Sequence, residues 1–217
     1  MTNHFRPKRL NADCGRLYVV LFRSRKKDNE TIDGHSERIR SMLVRGDFYT
    51  DEAVHESVMK RFNEFVFAGT KNETSRLYIS ANARDDAKTR KALIHKLIDE
   101  DDIDMAAIEQ FTLSLAAKSE NAAEHHWLID CDDMDQDAVW SLAQQIVALG
   151  KVTSPNPCTI YQTPHGYHII TEHGFDTRAV NLAHAEVMRD ALRLAAVGTK
   201  YSTTSVRVRT TPTTYVD

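Results

Sequence analysis

Cysteine is scarce in this chain: its 217 residues include three, Cys14, Cys131 and Cys158. They are odd in number, widely spaced and without a C-x-x-C pair, which argues against a disulfide framework or a zinc ribbon and fits a reducing, cytoplasmic setting. Long apolar runs are missing too. Nothing approaches the ~20 residues needed to span a bilayer, so no membrane partner is expected. The polar start lacks the apolar stretch of a signal peptide. Excess charge is also missing: the net charge is −3 with histidine neutral, so the whole chain does not advertise a polyanion binder. Charge is instead local, basic at Arg23 to Lys27 and acidic at Asp99 to Asp104. There is no P-loop, no Gly-rich dinucleotide fingerprint and no Ser/His/Asp or Cys/His nucleophile pattern. Internal repeats and low-complexity tracts are absent. What remains is ordinary globular composition, 41% hydrophobic and 27% charged, in a chain long enough to bury a proper core.

Periodicity supplies the elements. Residues 1–15 read as a weakly ordered arm. Arg16 to Arg23 is a compact β-branched and aromatic run, hence a strand. Ser24 to Gly34 is a charged loop. His35 to Arg45 is predicted as a short helix with Ile39, Met42 and Leu43 inward. Asp51 to Phe67 is a second helix, with Val54, Val58, Phe62 and Phe65 at helical spacing. Arg76 to Asn82 is a strand, and Asp85-Asp86 opens a helix reaching about Asp99. Met105 to Lys118 is a further helix, and His126 to Cys131 a strand. Gln136 to Leu149 is a helix capped by Asp133 or Asp135 and stopped by Gly150. Cys158 to Thr163 and Tyr167 to Thr171 form a hairpin around Pro164-His165-Gly166. Arg178 to Ala196 is predicted as a helix ended by Gly198, and the tail strand alternates Val206 and Val208 with Arg207 and Arg209. The expected class is α+β, one mixed sheet with helices packed on it, close to a ferredoxin-like or RRM-like core. Residues 1–75 are expected to add a strand and two helices to a core spanning 76–217.

The chemistry concentrates between His125 and Thr171. Trp127-Leu128-Ile129 is an apolar strand that delivers Asp130 and Asp132. Residues i and i+2 of a strand share a side, so two carboxylates meet at a strand end and repel unless a cation neutralises them. A Mg²⁺ or Mn²⁺ ion suits such oxygen donors and leaves room for phosphate. The same aspartates also read as a solvated loop capping the next helix. The calcium-loop pattern breaks off after its third position, so an EF-hand is rejected. Downstream, Thr163-Pro164-His165-Gly166-Tyr167-His168 is a tight turn. Its glycine permits a positive φ or a close backbone approach, and its amides suit a phosphate. His125 and His126 are adjacent in a strand and point to opposite sides, so at most one joins the site and a zinc site is disfavoured.

The order of these pieces resembles the archaeo-eukaryotic primase (primase-polymerase) superfamily, in particular small phage-type members. An apolar strand ends in Asp-x-Asp at Trp127 to Asp132, a helix follows, and a Thr-x-x-Gly-x-His turn leads into an apolar strand at Thr163 to His168. Arg76 to Arg84 is similar to the opening strand of such proteins. The resemblance covers roughly residues 76–175. It implies a nucleotidyltransferase that joins NTPs or dNTPs on a DNA or RNA template with two divalent metals, Mg²⁺ or Mn²⁺. Asp130 and Asp132 would hold the metals. His168 would contact the incoming phosphates, with Thr163, His165, Gly166, Arg76 and Arg84 also on the nucleotide side. Arg207 and Arg209 are further candidates for neutralising triphosphate or template backbone. Replication proteins are possible partners. The family's third acidic motif has no counterpart here that the sequence reveals, and its zinc insert is absent. A catalytically degenerate nucleotide- or nucleic-acid-binding protein of phage or mobile-element origin is therefore the alternative, and a metal-dependent nuclease a third reading.

Overall fold

Alternation decides the first strand. In Arg16–Ser24 (β1) the side chains of Tyr18, Val20 and Phe22 fall on one side and are buried, the burial pattern of a strand with a covered face. The computed structural model describes residues 15–100, 103–149, 158–163, 165–201, 206–210 and 213–215. The arm 1–14 with Cys14, the helix stop at Gly150 and Pro164 of the turn lie outside the described residues.

β1 pairs along its length with Arg38–Arg45 (β2), and on its other side with Thr74–Ser80 (β3) and the short Arg84–Asp85 (β4). The expected helix at His35 to Arg45 is therefore a strand. Its residues suit either state, and the eight-pair ladder from Leu17↔Arg45 to Ser24↔Arg38 decides for β. Glu52–Phe67 (α1) is a helix as expected. Asp51 caps it, accepting from Ala53 N at 3.0 Å and Val54 N at 3.2 Å. Its Val58, Phe62, Phe65 and Val66 close over Val20, Phe22, Leu77 and Ile79. Asp86–Asp99 (α2), capped by Asp85, and Ile108–Ala116 (α3) follow, and α3 packs against β1 and β2.

The second sheet begins with Trp127–Asp132 (β5). Gln136–Leu149 (α4) then starts at Asp135, whose carboxylate accepts from Ala138 N at 2.8 Å. Cys158–Gln162 (β6) and Gly166–Thr171 (β7) form the expected hairpin. Glu186–Met188 (β8) pairs with β5. Leu192–Lys200 (β9) returns to the first sheet against β3, and Val206–Thr210 (β10) continues from it. Thr213–Tyr215 (β11) pairs with β6. The helix expected over Arg178 to Ala196 is thus two strands, β8 and the start of β9. The Ala- and Leu-rich composition favours helix locally, and pairing on both sheets overrides it. Gly198 is not a helix stop. A Cβ there would stand 2.8 Å from Val66 Cγ2, so glycine lets α1 lie close on β9.

The class is α+β. Among the described residues the strands divide into two sheets, and every ladder is antiparallel: β10-β9-β3-β1-β2, with β4 against β1, and β11-β6-β7-β5-β8. Residue 75 is no structural boundary, because β1 and β2 share a sheet with β3, β9 and β10. Each sheet has its own core, the first under α1 and the second where α4 sets Val139, Leu142, Ala143 and Ile146 on Ile129, Cys131, Ile160 and Ile169. Arg193 of β9 ties the two sheets. Its guanidinium lies 3.6 Å from the ring centre of Tyr49 and 3.3 Å from that of Tyr161 on β6. No helix among the described residues is long and apolar enough to cross a membrane.

Candidate functional site

Strand pleating sorts β5 into two sides. Ile129 and Cys131 point into the core beneath α4, which leaves Leu128, Asp130 and Asp132 on the opposite side. The neighbours extend that side. Asp130 stands opposite His168 on β7 and opposite Glu186 on β8, and His168 stands opposite Tyr161 on β6. Directly opposed residues share a sheet face. Tyr161, His168, Asp130 and Glu186 therefore form one cross-strand row.

The tight turn joins β6 to β7 just beyond this row, at the strand ends next to Tyr161 and His168. Thr163 N donates to Gly166 O at 2.9 Å, closing a two-residue loop. His165 N donates to Thr163 Oγ1 at 3.4 Å, and Asp133 N donates to His165 O at 3.0 Å. Asp133 adopts a left-handed φ of 58° where the chain leaves β5 for α4. Glycine at 166 serves close approach rather than positive φ. A Cβ there would fall on the carbonyl oxygen of Cys131 and stand 3.1 Å from Asp132 Cα. Gly166 thereby holds the turn against the end of β5 that carries Asp132.

Across from this row lies the first sheet. A cleft of about 350 Å³ separates the two, with Asp130, Asp132, Thr163, His165 and His168 on one wall. Arg25, Lys27, Asp28, Arg76 and Tyr78 form the other, and Met188, Leu192 and Leu194 give it an apolar part. The basic wall is braced. Asp28 accepts from Arg25 Nε at 2.8 Å and from Arg76 Nη2 at 2.8 Å. Burial by itself would raise the Asp28 pKa, but the two guanidiniums win and hold it below the ordinary carboxylate value. Behind Asp130, burial first and the Asp130 and Asp132 carboxylates second push the Cys131 thiol up to about 12, so it is an inert core residue.

His168 Nε2 lies 3.3 Å from Asp130 Oδ1, and its Nδ1 is buried without a partner. Among the described residues, no three His, Cys, Asp or Glu side chains are drawn together as a metal-holding group. Asp130 and Asp132 place carboxylate oxygens, the donor type a hard cation takes, on one side of the strand end, and Glu186 stands opposite Asp130.

Of the residues singled out from the sequence, Asp130, Asp132, Thr163, His165, His168 and Arg76 meet in this cleft, and Gly166 shapes it. Arg84 does not belong to it. Its guanidinium is buried against Asp190 in a two-pronged pair, both contacts at 2.8 Å, and Asp190 also takes a bond from Asn82. Arg84 is a structural tie between β4 and the turn before β9. Arg207 and Arg209 are exposed on β10 and do not line the cleft. Sequence reasoning missed Glu186, hidden in a segment with helical composition. It also missed Arg25, Lys27 and Asp28 as site residues, although the basic run Arg23 to Lys27 was the signal. Comparison of the chain with protein-family models, curated proteins and solved structures finds no match.

Proposed function

We propose that the chain is a primase-polymerase-like nucleotidyltransferase that joins nucleotides on a nucleic-acid template with the help of Mg²⁺ or Mn²⁺. One observation carries the reading: Asp130, Asp132, His168 and the Thr163–His165 turn share a cleft with the facing cations Arg25, Lys27 and Arg76. Carboxylates on one wall and guanidiniums on the other match a ligand that carries both a metal and a polyphosphate.

In this reading Asp130 and Asp132 would hold the cation, and Glu186, opposite Asp130 on β8, would offer a further carboxylate. A cation bound there would supply positive charge beside a 3′-hydroxyl nucleophile and the departing pyrophosphate. Arg76, Arg25 and Lys27 neutralise the triphosphate, and Asp28 fixes the two guanidiniums in place beforehand, so little ordering remains at the moment of reaction. His168 and the Thr163 hydroxyl orient the phosphates. The 3′-hydroxyl gives its proton to water as its oxygen forms a bond to the α-phosphorus, while the bond from phosphorus to the bridging oxygen breaks and pyrophosphate leaves.

A second reading is a non-catalytic nucleotide- or nucleic-acid-binding protein. The observation in its favour is the 3.3 Å contact of His168 Nε2 with Asp130 Oδ1, which occupies one of that carboxylate's oxygens. Extension of a template-primer, and synthesis without primer, with NTPs or dNTPs and Mn²⁺ or Mg²⁺ separates the two. The enzyme reading expects incorporation by the wild type and a loss of about 100-fold or more in the Asp130→Asn, Asp132→Asn variant. No incorporation with either nucleotide set, or full activity in that variant, overturns it. An activity-independent readout is Tm: nucleotide with Mn²⁺ raises it in the wild type and not in the variant.

A further inference from the structure

We infer that the face of the first sheet opposite α1 is a track for a single-stranded polynucleotide, gripped through its phosphodiester backbone. The inference rests on the template role proposed above and names the surface that takes the template. Registers carry it. Arg23 on β1 stands opposite Arg76 on β3, Arg76 opposite Val197 on β9, and Val197 opposite Arg209 on β10. One step along the strands, Thr74 stands opposite Thr199, and Thr199 opposite Arg207. Phe22, Leu77 and Val208 belong to the core under α1, so these arginines, which alternate with them, lie on the other face.

The row from Arg23 to Arg209 crosses three inter-strand steps, ~14 Å at the usual spacing of ~4.8 Å. It runs through Arg76, which lines the cleft of Asp130 and Asp132. Part of this charge is already matched, Arg23 by Glu37 and Arg76 by Asp28. Arg207 and Arg209 are exposed and form no ion pair with any described residue. Aromatic planes accompany the cations. Tyr78 lies in the cleft, and Tyr201, 49% exposed, lies 5.5 Å from the Arg207 guanidinium. Cations interleaved with stacking rings suit unpaired bases, which a duplex keeps within its stack.

The test uses the full chain and labelled single-stranded DNA and RNA oligonucleotides of one sequence, the two arms deciding which sugar is preferred. The expected result is that Arg207→Glu with Arg209→Glu weakens binding at least tenfold. The slope of log K against log salt should fall by about 1.4, two contacts at about 0.7 each. Lys60→Glu with Arg61→Glu, an equal charge change on α1 behind the sheet, should leave affinity within twofold. Tm of both variants checks folding, and all four positions are exposed. The inference is overturned if the wild type binds no single strand, if it binds duplex or anionic vesicles as tightly, or if the two variants lose affinity equally. Nucleotide incorporation is read separately. If binding falls in the β10 variant while the wild type incorporates nothing, the track stands and the enzyme reading fails. If incorporation occurs and oligonucleotide affinity ignores Arg207 and Arg209, the reverse holds.

Discussion

Asp28 illustrates how one side chain organises a charged wall. It accepts from both Arg25 and Arg76, and its pKa is held below the ordinary value of 3.8 in spite of burial. A depressed folded-state pKa means that the bond stabilises the fold above the unfolded-state value and is lost as pH falls through the folded one. Wild-type stability is therefore expected to fall as pH drops below about 4. Asp28→Asn should be less stable at pH 7 and show a flatter acid limb in urea titrations at stepped pH. Equal acid limbs would remove Asp28 from the account. Residues of this kind were only partly legible. Asp130, Asp132 and His168 stood out because their spacing within strands puts them on defined faces, and spacing is a local property. Asp28 did not stand out, because a lone aspartate in a basic loop acquires meaning only from Arg76, 48 residues away. Arg84 misled for the same reason: its burial against Asp190 is invisible without the fold.

Helices with one apolar stripe were readable, and strands with mixed composition were not. α1 announced itself by Val58, Phe62 and Phe65, all buried as their spacing required. Phe62 is fully buried, 5.5 Å from the Phe22 ring. Phe62→Ala should cost about 3–5 kcal/mol by chemical denaturation, while the slope against denaturant stays unchanged. A cost under about 1 kcal/mol would mean that α1 is not what seals this sheet. β2, β8 and the start of β9 lie where the sequence pattern predicts helices. Their residues, among them Ile39, Leu43, Met188 and Ala195, suit both states, and β preference is largely packing against strands that sequence order does not bring near. The hairpin β6–β7 escaped this problem, because its strands are adjacent in sequence and its turn residues mark the reversal.

At the scale of the molecule, two antiparallel sheets with separate cores face each other across the cleft, and Arg193 is one tie between them. Burial favours its neutral form, and Tyr49 and Tyr161 oppose that by holding the cation between their rings. Arg193→Ala should lower stability by about 2–4 kcal/mol, the worth of two desolvated cation–π contacts. Hydrogen exchange should quicken in β6, which carries Tyr161, more than in β1. Unchanged exchange in β6 would show that the sheets are held together elsewhere. By itself the sequence determined the α+β class, α1 to α4, the site strand with its hairpin, and the pairing of carboxylates with a histidine turn, since each depends on periodicity within about twenty residues. Only the tertiary structure decided that β9 and β10 return to the first sheet, that Glu186 falls in line with Asp130, and that a basic wall faces the carboxylates. Those facts depend on contacts between distant segments, whose pairing is selected by burial of two whole faces at once and leaves no local trace in the chain.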